Sequence, residues 1–149
     1  MIQLLRTTPK NIDFINLVKE LDAYLKITDG EDHEFYNQYN GLENIPHSIV
    51  AYYEEEAIGC GAIKPFDNAS IEIKRMYLKP EYRGKGTAEK IISELENWAK
   101  ELGFTRTILE TGDRQVEAVK FYHKVGYRIT LNYGQYANVE NSNCFEKIL

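Results

Sequence analysis

The part of this sequence that most restricts the fold is residues 70–111, where a strand pattern, a glycine-rich loop and a helix pattern follow one another. Residues 70–78 are typical of a strand. From Ala88 onward apolar side chains recur every three or four positions, which predicts a long amphipathic helix that ends at Gly103. A second strand pattern covers residues 105–111. Strand, helix and strand in this order predict a right-handed crossover between two parallel strands.

The loop between the first of these strands and the helix has the composition of an anion-binding loop. Arg83, Gly84, Lys85 and Gly86 stand directly before the first helical turn. That turn carries unpaired N–H groups and a partial positive charge, and glycines allow the backbone to approach an anion closely. Because Arg83 and Lys85 add formal charge, the sequence predicts a site for a phosphorylated small molecule.

Two familiar nucleotide-binding loops are excluded by the same residues. The Walker loop needs Ser or Thr directly after Gly-Lys, but Gly86 follows Lys85. The dinucleotide loop needs a third glycine at the position of Glu89. The alternative to a phosphate site is an ordinary strand-to-helix turn with solvated basic residues.

The remaining patterns complete an α/β fold that is built on a mixed sheet. The predicted strands are residues 2–6, 48–53, 57–64, 70–78, 105–111, 127–131 and 143–148. The predicted helices are residues 9–26, with Thr8 as N-cap, and residues 31–39, 88–102 and 115–125. Short turns within residues 48–78 predict an antiparallel meander. We therefore expect a meander joined to a parallel βαβ crossover, with helices on both faces of the sheet.

The third strand of the meander changes its apolar phase. Ile71 and Ile73 lie on one face, whereas Met76 and Leu78 have the opposite parity. A slip of one residue is what a β-bulge produces, and bulges are frequent beside active sites. The alternative is a strand that is buried on both faces.

Length and charge limit the classes of function. A chain of 149 residues is long enough for a substantial core, and we expect one domain that covers residues 1–149. The net charge of −5 argues against general affinity for nucleic acid. No apolar run approaches the ~20 residues that cross a bilayer, and residues 1–10 lack the pattern of a signal peptide. We therefore expect no nucleic-acid or membrane partner.

The cysteines and histidines give no sign of a metal or of a nucleophile. Cys60 and Cys144 stand far apart without a CxxC pattern, which indicates a reducing cytoplasm and two buried strand residues. The three histidines are scattered along the chain, so no metal site is predicted.

Two motifs resemble the signatures of the GNAT superfamily of acyl-CoA N-acyltransferases. R-x-x-G-x-A, from Arg83 to Ala88, is similar to the loop that holds the CoA pyrophosphate in that family. A-x-x-F-Y-x-x-x-G-Y, from Ala118 to Tyr127, is similar to the second signature of the family. The predicted order of strands and helices also matches the GNAT fold, so the resemblance extends over nearly the whole chain.

The resemblance implies where an acyl-CoA would bind. The backbone of the bulged strand near Met76 would pair with the pantetheine amides, and the neighbouring parallel strand would splay away from it. Gln115 stands where many members have an Asn that touches the pantetheine. The implied cofactor-binding residues are Met76, Tyr77, Leu78, Arg83, Gly84, Lys85, Gly86, Thr87, Ala88, Gln115 and Tyr122.

The resemblance also implies an acid and a base. Tyr122 stands where the family has a tyrosine that protonates the departing CoA thiolate, a role that suits a phenol because it is protonated at neutral pH. Removing a proton from the attacking amine requires a base. Glu110 matches the base position of the ribosomal-protein N-terminal acetyltransferases, and Glu72 matches that of other branches. A packing role for Tyr122 and an ion-pair role for either glutamate are the alternatives.

The function that this resemblance implies is transfer of an acetyl group from acetyl-CoA, as co-substrate, to a primary amine by direct attack. A small-molecule or peptide amine would bind between residues 28–41 and residues 132–143. A non-catalytic acetyl-CoA-binding sensor or interaction domain is the alternative, and RNA binding through the loop at Arg83 is disfavoured by the acidic net charge. The sequence leaves the amine and the oligomeric state open, although homodimers are common in the family.

Overall fold

A computed structural model describes residues 1–30 and 46–149 of the chain. The strands are β1 (Ile2–Thr7), β2 (His47–Tyr53), β3 (Glu56–Pro65), β4 (Ser70–Leu78), β5 (Arg106–Gly112), β6 (Arg128–Thr130) and β7 (Ser142–Ile148). The helices are α1 (Ile12–Asp29), α2 (Thr87–Glu101) and α3 (Val116–Lys124). Within the described residues the strands form one sheet in the order β1-β2-β3-β4-β5-β7-β6.

The sheet is mixed, as predicted. The pairs β1–β2, β2–β3 and β3–β4 are antiparallel and form the expected meander. The crossover from β4 through α2 to β5 makes the β4–β5 pair parallel. The C-terminal strands return antiparallel, with β7 lying between β5 and β6. The predicted fold class is therefore confirmed.

Helices cover both faces of the sheet because neighbouring residues of a strand point to opposite sides. On one face α1 packs Phe14, Leu17 and Val18 against side chains of β2 and β3. On the other face α2 packs Ile91 and Leu95 into the larger core cluster. We call these the α1 face and the α2 face.

The first helix begins later than the sequence predicts. The side chain of Asn11 accepts hydrogen bonds from the backbone N–H groups of Asp13 and Phe14, which makes Asn11 the N-cap in place of Thr8. Thr8 instead belongs to a turn, in which its carbonyl oxygen accepts a hydrogen bond from the N–H of Asn11 at 3.0 Å. The helix continues to Asp29. The predicted helix at residues 31–39 lies outside the described residues.

The predicted bulge is present in β4. Ala62 of β3 lies opposite Lys74, but Cys60 lies opposite Tyr77, so two residues of β4 occupy the space of one. Arg75 is one of these two, and its φ of 60° lies in the left-handed region that non-glycine residues rarely adopt. The bulge changes which side chains of β4 face α1.

The parallel pairing of β4 and β5 is short. It covers only Ser70, Ile71 and Glu72 on β4, which lie opposite Arg106, Thr107 and Ile108 on β5. Beyond Glu72 the two strands share no register pairs, so the edge of β4 that faces β5 is left open from Ile73 onward.

Among the helices that the structure describes, none combines the length and the apolar character needed to cross a bilayer.

Candidate active site

The end of the β4–β5 pairing leaves a cleft in the sheet. Its larger part has a volume of ≈ 340 Å³ and is walled by β4, the loop before α2, and α3, with α1 on one side. Every predicted cofactor-binding residue except Lys85 lines this cleft. They are Met76, Tyr77, Leu78, Arg83, Gly84, Gly86, Thr87, Ala88, Gln115 and Tyr122. Lys85 is exposed and lies in the same loop but not in the wall.

The glycines of the loop are required by the backbone conformation rather than by crowding. Gly84 and Gly86 both have a φ of 82°, and an added Cβ at either position would meet no atom within 4 Å. Gly86 is the N-cap of α2 and has no side chain with which to cap the first turn. The N–H groups of that turn therefore face an open loop, as an anion site at a helix N-terminus requires.

Arg83 is held in a defined position at the edge of the cleft. Its Nε donates a hydrogen bond to the carbonyl oxygen of Leu78 at 2.8 Å. Its guanidinium carbon lies 5.9 Å from the ring centroid of Tyr24 and 5.8 Å from that of Tyr77. A guanidinium fixed in this way offers its two Nη groups as a planar pair, the geometry that matches phosphate oxygens.

A smaller cavity of ≈ 110 Å³ adjoins the cleft and shares lining residues with it. Met76, Gln115 and Tyr122 line both, whereas Glu72 and Glu110 line the smaller cavity. The structure therefore brings the predicted acid and both candidate bases to two cavities that share lining residues.

Tyr122 is a buried side chain of α3. Its ring centroid lies 5.2 Å from that of Phe121 and 5.8 Å from that of Tyr127, in edge-to-face contacts. Burial raises the pKa of the Tyr122 phenol well above its ordinary value. The Tyr122 hydroxyl is therefore protonated at neutral pH.

Glu72 is held on the α1 face by two partners. The hydroxyl of Tyr133 donates a hydrogen bond to its Oε2 at 2.7 Å. The Nζ of Lys74 lies 3.7 Å from its Oε1. Burial lowers the pKa of Lys74, and the charge of Glu72 acts in the opposite direction. Both oxygens of Glu72 thus contact polar groups in the wall of the smaller cavity.

Glu110 approaches the same cavity from β5. It lies opposite Cys144 of β7 in the sheet. Tyr136 also lines the cavity, and its pKa is raised by burial, with further contributions from the negative charges of Glu110 and Glu72. Tyr133 and Tyr136 belong to the predicted acceptor segment 132–143. Most of the other predicted acceptor segment, residues 28–41, lies outside the described residues.

The two cysteines are buried strand residues, as predicted. Burial raises the pKa of the Cys60 thiol to about 12 and that of the Cys144 thiol to about 11. Both are neutral thiols at pH 7, which does not suit a nucleophile.

Two basic residues of the smaller cavity were missed by the sequence reasoning. Lys74 could have been found, because it stands two residues after Glu72 in a strand and therefore shares its face. Arg75 could not be assigned to a face, because it is the extra residue of the bulge. The guanidinium of Arg75 pairs with Asp22 of α1, with 2.8 Å between Nη1 and Oδ1.

Comparison with known proteins supports the predicted family. The sequence model of the Acetyltransferase (GNAT) family matches residues 14–127. An uncharacterised N-acetyltransferase of Schizosaccharomyces pombe is 29% identical over 143 residues, which cover 84% of this chain and 88% of that protein.

Solved structures show the same fold. A protein of Klebsiella pneumoniae, named as an acyl-CoA N-acyltransferase, superposes with a TM-score of 0.84 at 28% identity and covers 100% of this chain and 98% of its own. A GNAT family acetyltransferase of Elizabethkingia anophelis with acetyl-CoA bound superposes with a TM-score of 0.73 at 20% identity, covering 99% of this chain and 98% of its own. The match to the family model, which spans most of the chain and both signature motifs, means that the chain belongs to the GNAT family of acetyltransferases.

Proposed function

We propose that residues 1–149 form one acetyl-CoA-dependent N-acetyltransferase domain that acts on a primary amine by direct attack. The observation that carries the proposal is the position of Tyr122, at the junction between a cleft with a glycine-rich helix N-terminus and a cavity with two carboxylates. N-acetyltransferase activity is supported by the family match. Acetyl-CoA as the donor is supported by the acetyl-CoA bound to the structurally similar protein of Elizabethkingia anophelis.

In the proposed complex the donor lies along the cleft. The N–H groups of the loop from Gly84 to Ala88 and the Nη groups of Arg83 hold the pyrophosphate. The open edge of β4 near Met76 supplies backbone groups for the pantetheine amides, which would occupy the space that β5 leaves. This arrangement directs the thioester toward Tyr122.

The reaction then needs two proton transfers. The neutral amine nitrogen attacks the thioester carbon, a base takes one proton from the nitrogen, and the C–S bond breaks. Tyr122 donates its proton to the thiolate sulfur as CoA leaves. Burial raises the pKa of this phenol, so Tyr122 carries its proton at neutral pH when the thiolate forms.

We assign the base role to Glu110 and a supporting role to Glu72. Both oxygens of Glu72 already contact Tyr133 and Lys74, which commits this carboxylate to the wall of the cavity. Glu110 reaches the same cavity from β5, the strand that borders the open edge of β4. Glu72 then contributes negative charge that attracts a cationic amine before it is deprotonated.

Thiol release from acetyl-CoA, measured against a panel of amines, tests the proposal. We expect release that depends on both acetyl-CoA and an amine, with equal amounts of CoA and acetylated amine formed. Tight binding of acetyl-CoA without turnover on any amine would instead favour a sensor or interaction domain. Calorimetric titration with acetyl-CoA distinguishes that outcome from a chain that does not bind the donor.

A further inference from the structure

Arg75 is a buried cation that the proposed mechanism does not use. It lies at the bulge of β4, its φ is 60°, and only 4% of its side chain is exposed. Arg75 lines the smaller cavity together with Glu72, Lys74 and Glu110. Burying a guanidinium is unfavourable unless hydrogen bonds replace its water, so its partners need to be accounted for.

The described residues satisfy only part of the hydrogen-bonding capacity of this guanidinium. Asp22 accepts a hydrogen bond from Nη1 at 2.8 Å, and the side chain of Asp22 is 38% exposed. The Nε of Arg75 is buried and has no hydrogen-bond partner in the part of the chain that the structure describes. An unsatisfied buried donor needs an explanation, and a group that binds in the cavity and hydrogen-bonds the guanidinium would supply one.

The charges around the cavity have both signs. Glu72 and Glu110 supply negative charge, which suits an ammonium group. Lys74 and Arg75 supply positive charge in the same cavity, and Lys74 forms a salt bridge to Glu72 with 3.7 Å between Nζ and Oε1. A polyamine would place only positive charge next to Arg75, whereas a ligand with one charge of each sign can complement both halves of the wall.

We infer that the acceptor is a small amine that also carries a carboxylate, and that Arg75 binds this carboxylate. The inference rests on the proposed function, because that function makes the amine the group that is acetylated. The carboxylate would complete the hydrogen bonding of the guanidinium, while the amine lies toward Glu110 and the thioester. The competing interpretation is structural, in which Arg75 serves only to hold α1 to the bulge through Asp22.

The test compares L-amino acids with their carboxamides as acceptors in the thiol-release assay, with rates expressed per neutral amine. In the wild type we expect kcat/KM to favour the acids roughly 10- to 100-fold, the effect of one charge-assisted hydrogen bond. Arg75→Gln should remove this preference by raising the KM for the acids, with the KM for acetyl-CoA unchanged. Arg75→Lys keeps the charge but not the planar donor pair, so it should restore part of the preference.

Asp22→Asn is the matched control, because it breaks the ion pair between α1 and β4 while keeping the guanidinium. We expect this variant to retain the preference for acids. Equal losses toward acids and carboxamides in Arg75→Gln and Asp22→Asn would overturn the inference and support the structural role, as would a wild type with no preference.

Calorimetric titration of the CoA-saturated protein with the same amino acids separates this inference from the proposed function. Binding that depends on Arg75 without any turnover would contradict the acetyltransferase proposal and leave the carboxylate site standing. Turnover of amines without such binding would contradict the carboxylate site alone.

Discussion

Replacing Gly86 by alanine should separate the stability of the fold from the affinity for the donor. Gly86 has a φ of 82°, and an added Cβ there would meet no atom within 4 Å. The cost to the fold is therefore only that of the left-handed backbone, about 1–2 kcal/mol for a residue with a Cβ. For a chain of this size that corresponds to a fall in Tm of roughly 2–8 °C.

Gly103, at the other end of α2, provides a matched control. Its φ is 95°, an added Cβ would again meet no atom within 4 Å, and the residue is not part of the cleft. Gly103→Ala should lower the Tm by a similar amount. Only Gly86→Ala places a methyl group where the pyrophosphate would approach the helix, so only this variant should bind CoA more weakly, by roughly 10- to 100-fold if one charge-assisted hydrogen bond is lost.

The assay is a pair of measurements on each variant, thermal unfolding for stability and calorimetric titration with CoA for affinity. The reasoning about the loop is wrong if Gly86→Ala loses stability but binds CoA within about threefold of the wild type. It is equally wrong if Gly103→Ala loses as much affinity as Gly86→Ala, because the effect would then come from α2 as a whole.

Three further predictions concern the catalytic residues and the core. Tyr122→Phe should lower kcat roughly 10²-fold or more. Because the raised pKa keeps the Tyr122 phenol protonated, the wild-type kcat should not fall as the pH rises toward 10. A fall in kcat that disappears in the Phe variant would contradict this assignment. Glu110→Gln should chiefly lower kcat, whereas Glu72→Gln should chiefly raise the KM for the amine. The reverse pattern would exchange their roles. Gly61→Ala should lower the free energy of unfolding by about 1–3 kcal/mol, since its Cβ would lie 2.7 Å from the Met76 Sδ. An unchanged midpoint of denaturant unfolding would mean that the core side chains rearrange to make room for the methyl group.

Much of the fold could be predicted because its signals are local. The parity change between Ile73 and Met76 is a property of nine consecutive residues, and it located the bulge. The order of strand, glycine loop and helix located the cleft for the same reason. The predicted start of α1 was wrong because two residues that can cap a helix, Thr8 and Asn11, stand within four positions. Only the structure shows that the Asn11 side chain accepts hydrogen bonds from two backbone N–H groups.

The acceptor side could be predicted only in outline because its contacts are distant in sequence. Tyr133 and Glu72 are 61 residues apart, and Arg75 and Asp22 are 53 apart. No periodicity within one element encodes such pairs, since they depend on how loops and helices pack on the finished sheet. The sequence of a loop likewise does not specify whether Lys85 lines the cleft.

The short register between β4 and β5 has a consequence for how the molecule moves. These strands share three register pairs, whereas β5 and β7 share seven, so the part of the sheet formed by β1 to β4 is only weakly paired with the part formed by β5 to β7. In the proposed binding mode a pantetheine arm bridges β4 and β5 and holds the two parts together. Ligand at 100 times its Kd would then stabilise the folded protein by about 2.7 kcal/mol, and amide hydrogen exchange in β4 and β5 should slow more than exchange in β1 or β2.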